Sequence, residues 1–200
     1  MELDRGFKAW AERSSLSIRR ELELAAHDPL PPEKLAANLD IELLTPKQIP
    51  GLHEECSRQL LQVDPDGWSA TSFSLGDRMV IIYNPTHSHR RQSSDKMHEL
   101  AHFLIGHEPA QIVLSQDGGI VMRSYNKKQE DEANWLAGCL LLPRDALLWI
   151  KRQHLDTMVA CKLFCVSEQL LRFRMNAGGV NLQVRRLMQR KSRFVKEKSA

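Results

Sequence analysis

The sequence predicts an α+β fold in which helices surround a small antiparallel sheet and further helices follow. Apolar residues recur at helical intervals before residue 24, strand-like alternation replaces them between residues 69 and 83, and helical intervals return after residue 126. With 200 residues and 42% hydrophobic composition, the chain can bury one core. We expect a main domain over residues 1–150, a helical hairpin or helix-turn-helix-like appendage over residues 151–180 and a basic tail over residues 181–200.

The first half of the chain predicts short helices followed by a hairpin. Pro29, Pro31 and Pro32 end the opening helix, because a proline lacks the amide hydrogen that a helix interior needs. Gly76 and Asp77 lie between two strand-like runs and match a two-residue hairpin turn. The predicted elements are helices over residues 5–24, 33–38 and 52–61, an extended stretch over 41–44 and strands over 71–75 and 79–83.

A helix over residues 95–105 is predicted after the hairpin. Ser93, Ser94 and Asp95 offer N-cap side chains, and Gly106 and Pro109 end the helix. Residues 112–114 and 120–122 are expected to form a second short hairpin, with a loop containing two brief extended pieces as the alternative. The helices expected after them cover residues 126–142, 143–153, 156–163 and 167–176, with Asn126 and Ser167 as N-caps.

The predicted helix over residues 95–105 carries the motif His98-Glu99-Leu100-Ala101-His102. Residues four apart project from one face of a helix, so His98 and His102 can both reach one metal ion at Zn–N distances of about 2.0–2.1 Å. Glu99 lies about 100° around the helix, where its carboxylate can take a proton from a water at the metal. In a chain with 8 histidines, chance produces the motif only about 0.02 times. The motif therefore predicts a zinc-peptidase site with Glu99 as the general base.

A catalytic zinc ion usually has three protein ligands, so the motif needs one more. The extended pattern HExxHxxGxxH fails, because Glu108 stands where it requires the third histidine. His107 and Glu108 follow the end of the helix, and Glu132 lies about 200° from Glu130 around the downstream helix. Glu130 lies on the apolar stripe of that helix, where a carboxylate is costly unless it is paired or bound to a metal. We therefore predict Glu130 as the third ligand, with its pairing to a lysine as the alternative.

We expect the substrate to bind as an extended strand near the site helix. A peptide can add to a sheet edge through main-chain hydrogen bonds, and the strand over residues 79–83 precedes the site helix. Tyr83, Tyr125 and His107 are all candidates to stabilise the oxyanion that develops during hydrolysis.

Three segments of the chain resemble the ImmA/IrrE family of metallopeptidases. They are residues 80–84 before the site helix, residues 97–107 around the HExxH motif, and residues 130–143, which begin at Glu130 and end in an apolar run and Pro143. The family places its third metal ligand roughly 25 to 30 positions after the motif, at the residue that matches Glu130. The resemblance extends over residues 5–178.

This resemblance implies a zincin-like fold with a gluzincin-like site and a zinc-dependent endopeptidase, although Mn²⁺ or Fe²⁺ would also accept two histidines and a glutamate. The best-understood members cleave a helix-turn-helix repressor encoded nearby, so the implied partner is a neighbouring-gene repressor. The implied role is regulation of phage, mobile-element or stress genes. No oligomeric state is indicated.

Many family members also carry a helix-turn-helix segment, which residues 159–174 resemble. Arg172 and Arg174 in this segment are candidates to contact phosphates, although a helical hairpin that packs on the catalytic core is the alternative. Cys165 occupies the turn position where such motifs often have glycine. The alternative function is a non-proteolytic, metal-binding regulator that binds DNA or a partner protein.

The positions of the basic residues indicate possible binding partners, and the cysteines indicate the cellular compartment. Residues 181–200 carry seven Lys or Arg and one Glu, so this tail can contact nucleic acid or an acidic partner, or form a solvated helix end. The N-terminus contains no signal-peptide core or apolar membrane span. The four cysteines lack a CxxC pair and fit reduced, buried thiols. We expect a cytoplasmic protein that does not enter a membrane.

Overall fold

The computed structural model describes residues 1–75, 78–107, 112–114, 120–122 and 126–184. The helices are α1 (Phe7–Glu21), α2 (Pro32–Asn38), α3 (Glu54–Arg58), α4 (His89–Ile105), α5 (Lys127–Leu141), α6 (Arg144–Arg152), α7 (Thr157–Leu163) and α8 (Glu168–Ala177). The strands are β1 (Glu42–Leu44), β2 (Ala70–Leu75), β3 (Arg78–Tyr83), β4 (Ile112–Leu114) and β5 (Ile120–Met122). The predicted turn at Gly76 and Asp77, the candidates Glu108 and Tyr125, the helix stop at Pro109 and the basic residues from Arg185 onward lie outside the described residues.

The main sheet has three strands in the order β1-β3-β2. Strands β2 and β3 form the predicted antiparallel hairpin, with Ser72 opposite Ile81, and β4 and β5 form a second antiparallel pair. Strand β1 adds to the other side of β3 in parallel, with Leu43 opposite Ile81. The α+β fold with a small sheet beside the motif helix and helices after it is therefore confirmed, and the sheet gains one parallel strand.

Helix α4 carries the HExxH motif and begins earlier than expected. The sequence predicts its start near residue 95, whereas it starts at His89 after the N-cap Ser88, whose hydroxyl accepts from the Arg91 amide. Residues 89–94 are all polar, so no apolar spacing marks them as helical. The helix ends as predicted at Gly106, which has a left-handed φ of 79°.

Helix α5 lies in the core between α4 on one side and α1 on the other. The Asn126 side chain accepts from the Lys128 and Gln129 amides and caps its first turn, as predicted. The buried residues of α5 and α4 that form this part of the core are Ala133, Leu136, Ala137, Leu140, Met97, Leu100 and Ala101.

The carbonyls at the end of α5 accept hydrogen bonds from buried side chains on other helices. Arg19 donates to the Leu140 carbonyl at 2.7 Å, and the Ser15 hydroxyl donates to the Cys139 carbonyl at 2.7 Å. These donors satisfy groups that lack partners at a helix C-terminus, and they anchor α5 against α1.

Helices α7 and α8 form the predicted helical pair, and Ser167 caps α8 by accepting from the Leu170 amide. Cys165 adopts a left-handed φ of 50° in the turn between them, a conformation that glycine adopts more easily. Arg172 is exposed and pairs with Glu168, whereas Arg174 is fully buried and pairs with Glu12 at 2.6 Å. The suggestion that Arg174 contacts phosphates is therefore wrong.

The cysteines differ from one another in exposure. Cys139 and Cys161 are buried, as expected, but Cys56 is exposed on the short helix α3. The expectation of buried thiols therefore fails at Cys56, because neither α3 nor the π-helix Gln59–Val63 that continues it has a buried residue. Among the helices in the described ranges, none is both long and apolar enough to cross a membrane.

Candidate metal centre

The side chains of His98, His102 and Glu130 meet between α4 and α5. The two histidines lie one turn apart on α4, and Glu130 lies in the first turn of α5. The Nε2 atom of His98 lies 3.2 Å from Glu130 Oε2, and that of His102 lies 3.3 Å from Glu130 Oε1. The two Nε2 atoms are 3.0 Å apart. Helical spacing and face thus correctly placed Glu130 beside both histidines, rather than beside a lysine.

These three separations fit one bound metal ion. A tetrahedral ion with bonds of about 2.0–2.1 Å keeps its ligand atoms about 3.3 Å apart, close to the distances among these side chains. If both Nε2 atoms donated to Glu130, their hydrogens would face each other across a 3.0 Å contact, so at least one Nε2 atom has its lone pair free for a metal ion. Within the described residues, these are the side chains with metal-binding groups that cluster within 4.8 Å of one another.

The protonation preferences of the cluster also suit a cation. Burial, followed by the neighbouring His98, lowers the pKa of His102 to about 4, so its imidazole is neutral at pH 7. Hydrogen bonding from His98 lowers the pKa of Glu130, which keeps its carboxylate charged. Burial alone would lower the pKa of His98, but hydrogen bonding to Glu130 and the nearby Glu99 carboxylate raise it. A neutral His102 imidazole and a charged Glu130 carboxylate are the forms that bind a metal ion.

Glu99 lies beside this cluster and faces the same open cleft. Burial raises the pKa of its carboxyl group, and hydrogen bonding to Ser72 on β2 partly opposes that shift. A raised pKa suits a group that must gain and lose a proton near neutral pH. The cleft has a volume of about 430 Å³ and is lined by Ser69, Ala70, Ser94, Asp95, His98, Glu99, Glu130 and Asn134.

The sheet edge nearest the cleft belongs to β2. The expected substrate edge over residues 79–83 is wrong, because β3 is paired on both sides, with β1 and with β2. Strand β2 is an outer strand of this sheet, and its first residue, Ala70, lines the cleft. Sequence patterns identify strands but not their order, which depends on contacts between distant segments.

His107 and Glu132, the other ligand candidates among the described residues, lie behind the cluster. The Nδ1 atom of His107 is 2.9 Å from His102 Nδ1, and its Nε2 atom is 3.1 Å from Glu132 Oε2. Glu132 is more buried than Glu130, with side-chain exposures of 10% and 30%, the reverse of the expected order. The sequence predicts one buried face on α5, but in the structure α5 packs against both α4 and α1. Glu132 is therefore buried although it lies outside the predicted apolar stripe.

The sequence feature that determines the position of His107 is Gly106, the residue before it. The His107 amide donates to the His102 carbonyl and the Gly106 amide donates to the Phe103 carbonyl, both at 3.0 Å, which is the Schellman pattern of helix ends. This turn folds His107 back over the last turn of α4. Sequence reasoning treated His107 as a loop residue and so missed its contact with His102.

Comparison with known proteins agrees with this geometry. A family model described as the IrrE N-terminal-like domain, Peptidase_M78, matches residues 59–176, which is more than half of the chain and includes α4 and α5. Comparisons with curated proteins and with solved structures found no significant match.

Proposed function

We propose that this chain, which belongs to the Peptidase_M78 family of IrrE N-terminal-like domains, is a zinc-dependent endopeptidase that cleaves a protein substrate. Family membership supports a metallopeptidase-type function. The observation that carries the proposal is the convergence of His98, His102 and Glu130 at the spacing of a tetrahedral ion, beside Glu99 in an open cleft. Two histidines and a glutamate leave one coordination position for water or substrate, as catalytic zinc sites do.

The proposed mechanism assigns different tasks to the residues of the cleft. His98, His102 and Glu130 hold the ion, which when bound supplies Lewis acidity to the scissile carbonyl and the attacking water. Glu99 takes a proton from that water and passes it to the leaving amine. Its buried position suits this task, because burial raises the pKa of the carboxyl group towards the working pH. Asn134 lines the cleft one turn after Glu130, beside His98, where its side chain can orient that ring.

The shape of the site favours an extended polypeptide as substrate. The cleft is open and runs beside the outer strand β2, whose backbone can pair with a peptide. On the strength of the family resemblance, we propose a helix-turn-helix repressor from a neighbouring gene as the substrate. Cleavage would then regulate phage, mobile-element or stress genes in the cytoplasm.

The test is the variant Glu99→Gln, which keeps the size of the side chain and removes its basicity. We expect cleavage of the neighbouring repressor, followed by mass spectrometry, to fall by about 10²–10⁴-fold, the usual contribution of a general base. Zinc content, measured on the same sample, should stay near that of the wild type. The control Glu54→Gln changes an exposed glutamate on α3 and should leave cleavage unchanged. Cleavage at the wild-type rate by Glu99→Gln would contradict the mechanism.

The alternative, a non-proteolytic regulator, predicts a different outcome. Its supporting observation is the α7–α8 pair, whose exposed residues include Arg172, although Glu168 pairs with this arginine. A regulator of this kind would bind DNA with strong salt dependence, equally in the wild type and in Glu99→Gln, and would cleave no repressor.

A further inference from the structure

His107 and Glu132 form a buried chain of contacts that ends on one of the proposed metal ligands. His107 Nδ1 lies 2.9 Å from His102 Nδ1, and His107 Nε2 lies 3.1 Å from Glu132 Oε2. The side chains of His107 and Glu132 are 7% and 10% exposed. His102 therefore contacts His107 through its Nδ1 atom, whereas the Nε2 atom of His102 faces Glu130 and His98.

The positions of the protons in this chain follow from metal binding. An imidazole that binds a metal through Nε2 carries its proton on Nδ1, so His102 must donate from Nδ1. His107 must then accept at Nδ1 and keep its own proton on Nε2, which it donates to the Glu132 carboxylate. This one assignment gives both contacts a donor and an acceptor.

The carboxylate of Glu132 has a second neighbour besides His107. Lys128 lies one turn earlier on α5, with its Nζ atom 3.9 Å from Glu132 Oε1. A buried carboxylate is costly without partners, and Glu132 obtains them from His107 and from this ammonium group. Its negative charge in turn makes His107 a better acceptor for the proton of His102.

We infer that His107 and Glu132 are positioning residues that fix the tautomer and the ring orientation of His102 and thereby tighten metal binding. The inference rests on the proposed metal-dependent function, because it assigns the pair a task only at an occupied site. Neither His107 nor Glu132 is among the residues that line the cleft. Carboxylate–histidine contacts behind metal ligands commonly change metal affinity by about 10–100-fold.

Zinc affinity of the purified metal-free protein, measured by competition with a coloured chelator, tests the inference without any substrate. We expect His107→Ala to weaken zinc binding by about 10–100-fold. His107→Asn should recover most of that loss, because its Oδ1 atom can take the place of Nδ1 as the acceptor. His89→Ala removes an exposed histidine from the first turn of the same helix and should bind zinc as the wild type does.

A spectroscopic measurement separates positioning from general loosening of the fold. In the zinc-loaded protein, the Nδ1–H proton of His102 should be protected from solvent exchange in the wild type and in His107→Asn, and should exchange rapidly in His107→Ala. If His107→Ala fails to fold, Glu132→Ala breaks the chain at its other end, and we expect it to weaken zinc binding by about tenfold.

The outcomes distinguish this inference from the proposed function. Wild-type zinc affinity in the folded alanine variants would overturn the positioning role and leave the metal centre intact. A loss in His107→Ala that His107→Asn does not recover, with no change in His102 proton exchange, would overturn it as well. A wild-type protein that binds no zinc would overturn both.

Discussion

The two ends of helix α5 each hold charged side chains, but the charges have different partners. At its N-terminal end, Glu130 faces two imidazoles and an open cleft, and its side chain is 30% exposed. At its C-terminal end, the fully buried guanidinium groups of Arg19 and Arg174 donate to the carbonyls of Leu140 and Leu142. The first cluster is the proposed site of a metal ion from solution, and the second contains its own cations.

This difference separates function from folding along a single helix. Arg19 and Arg174 satisfy the last carbonyls of α5, and Arg174 also pairs with Glu12, so both arginines stabilise the fold. The imidazole–carboxylate cluster brings the two Nε2 atoms within 3.0 Å of each other beside Glu130, a spacing that suits a shared metal ion. We therefore expect substitutions at the C-terminal end to change stability, and those at the N-terminal end to change metal affinity.

The largest effect on folding is expected from Arg174→Met. Methionine fills similar space but leaves the Leu142 carbonyl and Glu12 without the guanidinium group. We expect a loss of about 3 kcal/mol, the low end for breaking a buried ion pair, because Glu12 keeps a hydrogen bond from the Arg144 amide. Thermal unfolding should show the melting temperature reduced by about 6–12 °C.

The matched control for this variant lies two residues away on α8. Arg172→Met removes an arginine that is 75% exposed, and should change stability by less than about 0.5 kcal/mol. Zinc affinity of the folded Arg174→Met protein should equal that of the wild type. Weakened zinc binding in this variant would show that the two ends of α5 are coupled.

A smaller effect on stability is expected from Glu130→Ala, and only when zinc is present. A ligand that binds the folded state at 100 times its dissociation constant stabilises it by about 2.7 kcal/mol, and this variant should lose that gain. Its melting temperature without metal should stay close to that of the chelator-treated wild type, because Glu130 is partly exposed. An equal zinc-dependent shift in melting temperature in both proteins would exclude Glu130 as a ligand.

The sequence predicts most elements of the fold because their signals are local. Alternating residues mark the β2–β3 hairpin, and Asn126 and Ser167 cap α5 and α8 as expected. The start of α4 could not be predicted, because only the Ser88 cap distinguishes its polar first turns from a loop. The parallel pairing of β1 with β3 depends on residues almost 40 positions apart, for which the chain carries no local pattern.

The sequence predicts those parts of the candidate site in which helical spacing alone determines which side chains lie together. Spacing predicts that His98 and His102 share one face of α4, and in the structure Glu130 lies beside both of them. The positions of His107 and Glu132 depend instead on the left-handed turn at Gly106 and on the packing of α5 between two helices. Hydrophobic periodicity indicates neither the direction of that turn nor which helices pack against α5. The contacts of His107 and Glu132 behind His102 therefore become visible only in the structure.

The smallest effect is expected from Ser15→Ala, which tests the C-terminal network of α5 without removing a charge. The Ser15 hydroxyl donates to the Cys139 carbonyl and accepts from Arg19 at 2.7 Å, and all of these groups are buried. Its loss leaves a buried carbonyl without this donor, which costs about 1–2 kcal/mol in denaturant unfolding. Ser14→Ala, at the preceding and partly exposed position of α1, is the control, because both variants gain the same helix propensity of alanine. Since the difference between the two variants isolates the buried hydrogen bonds, equal unfolding free energies would mean that Arg19 alone anchors this end of α5 to α1.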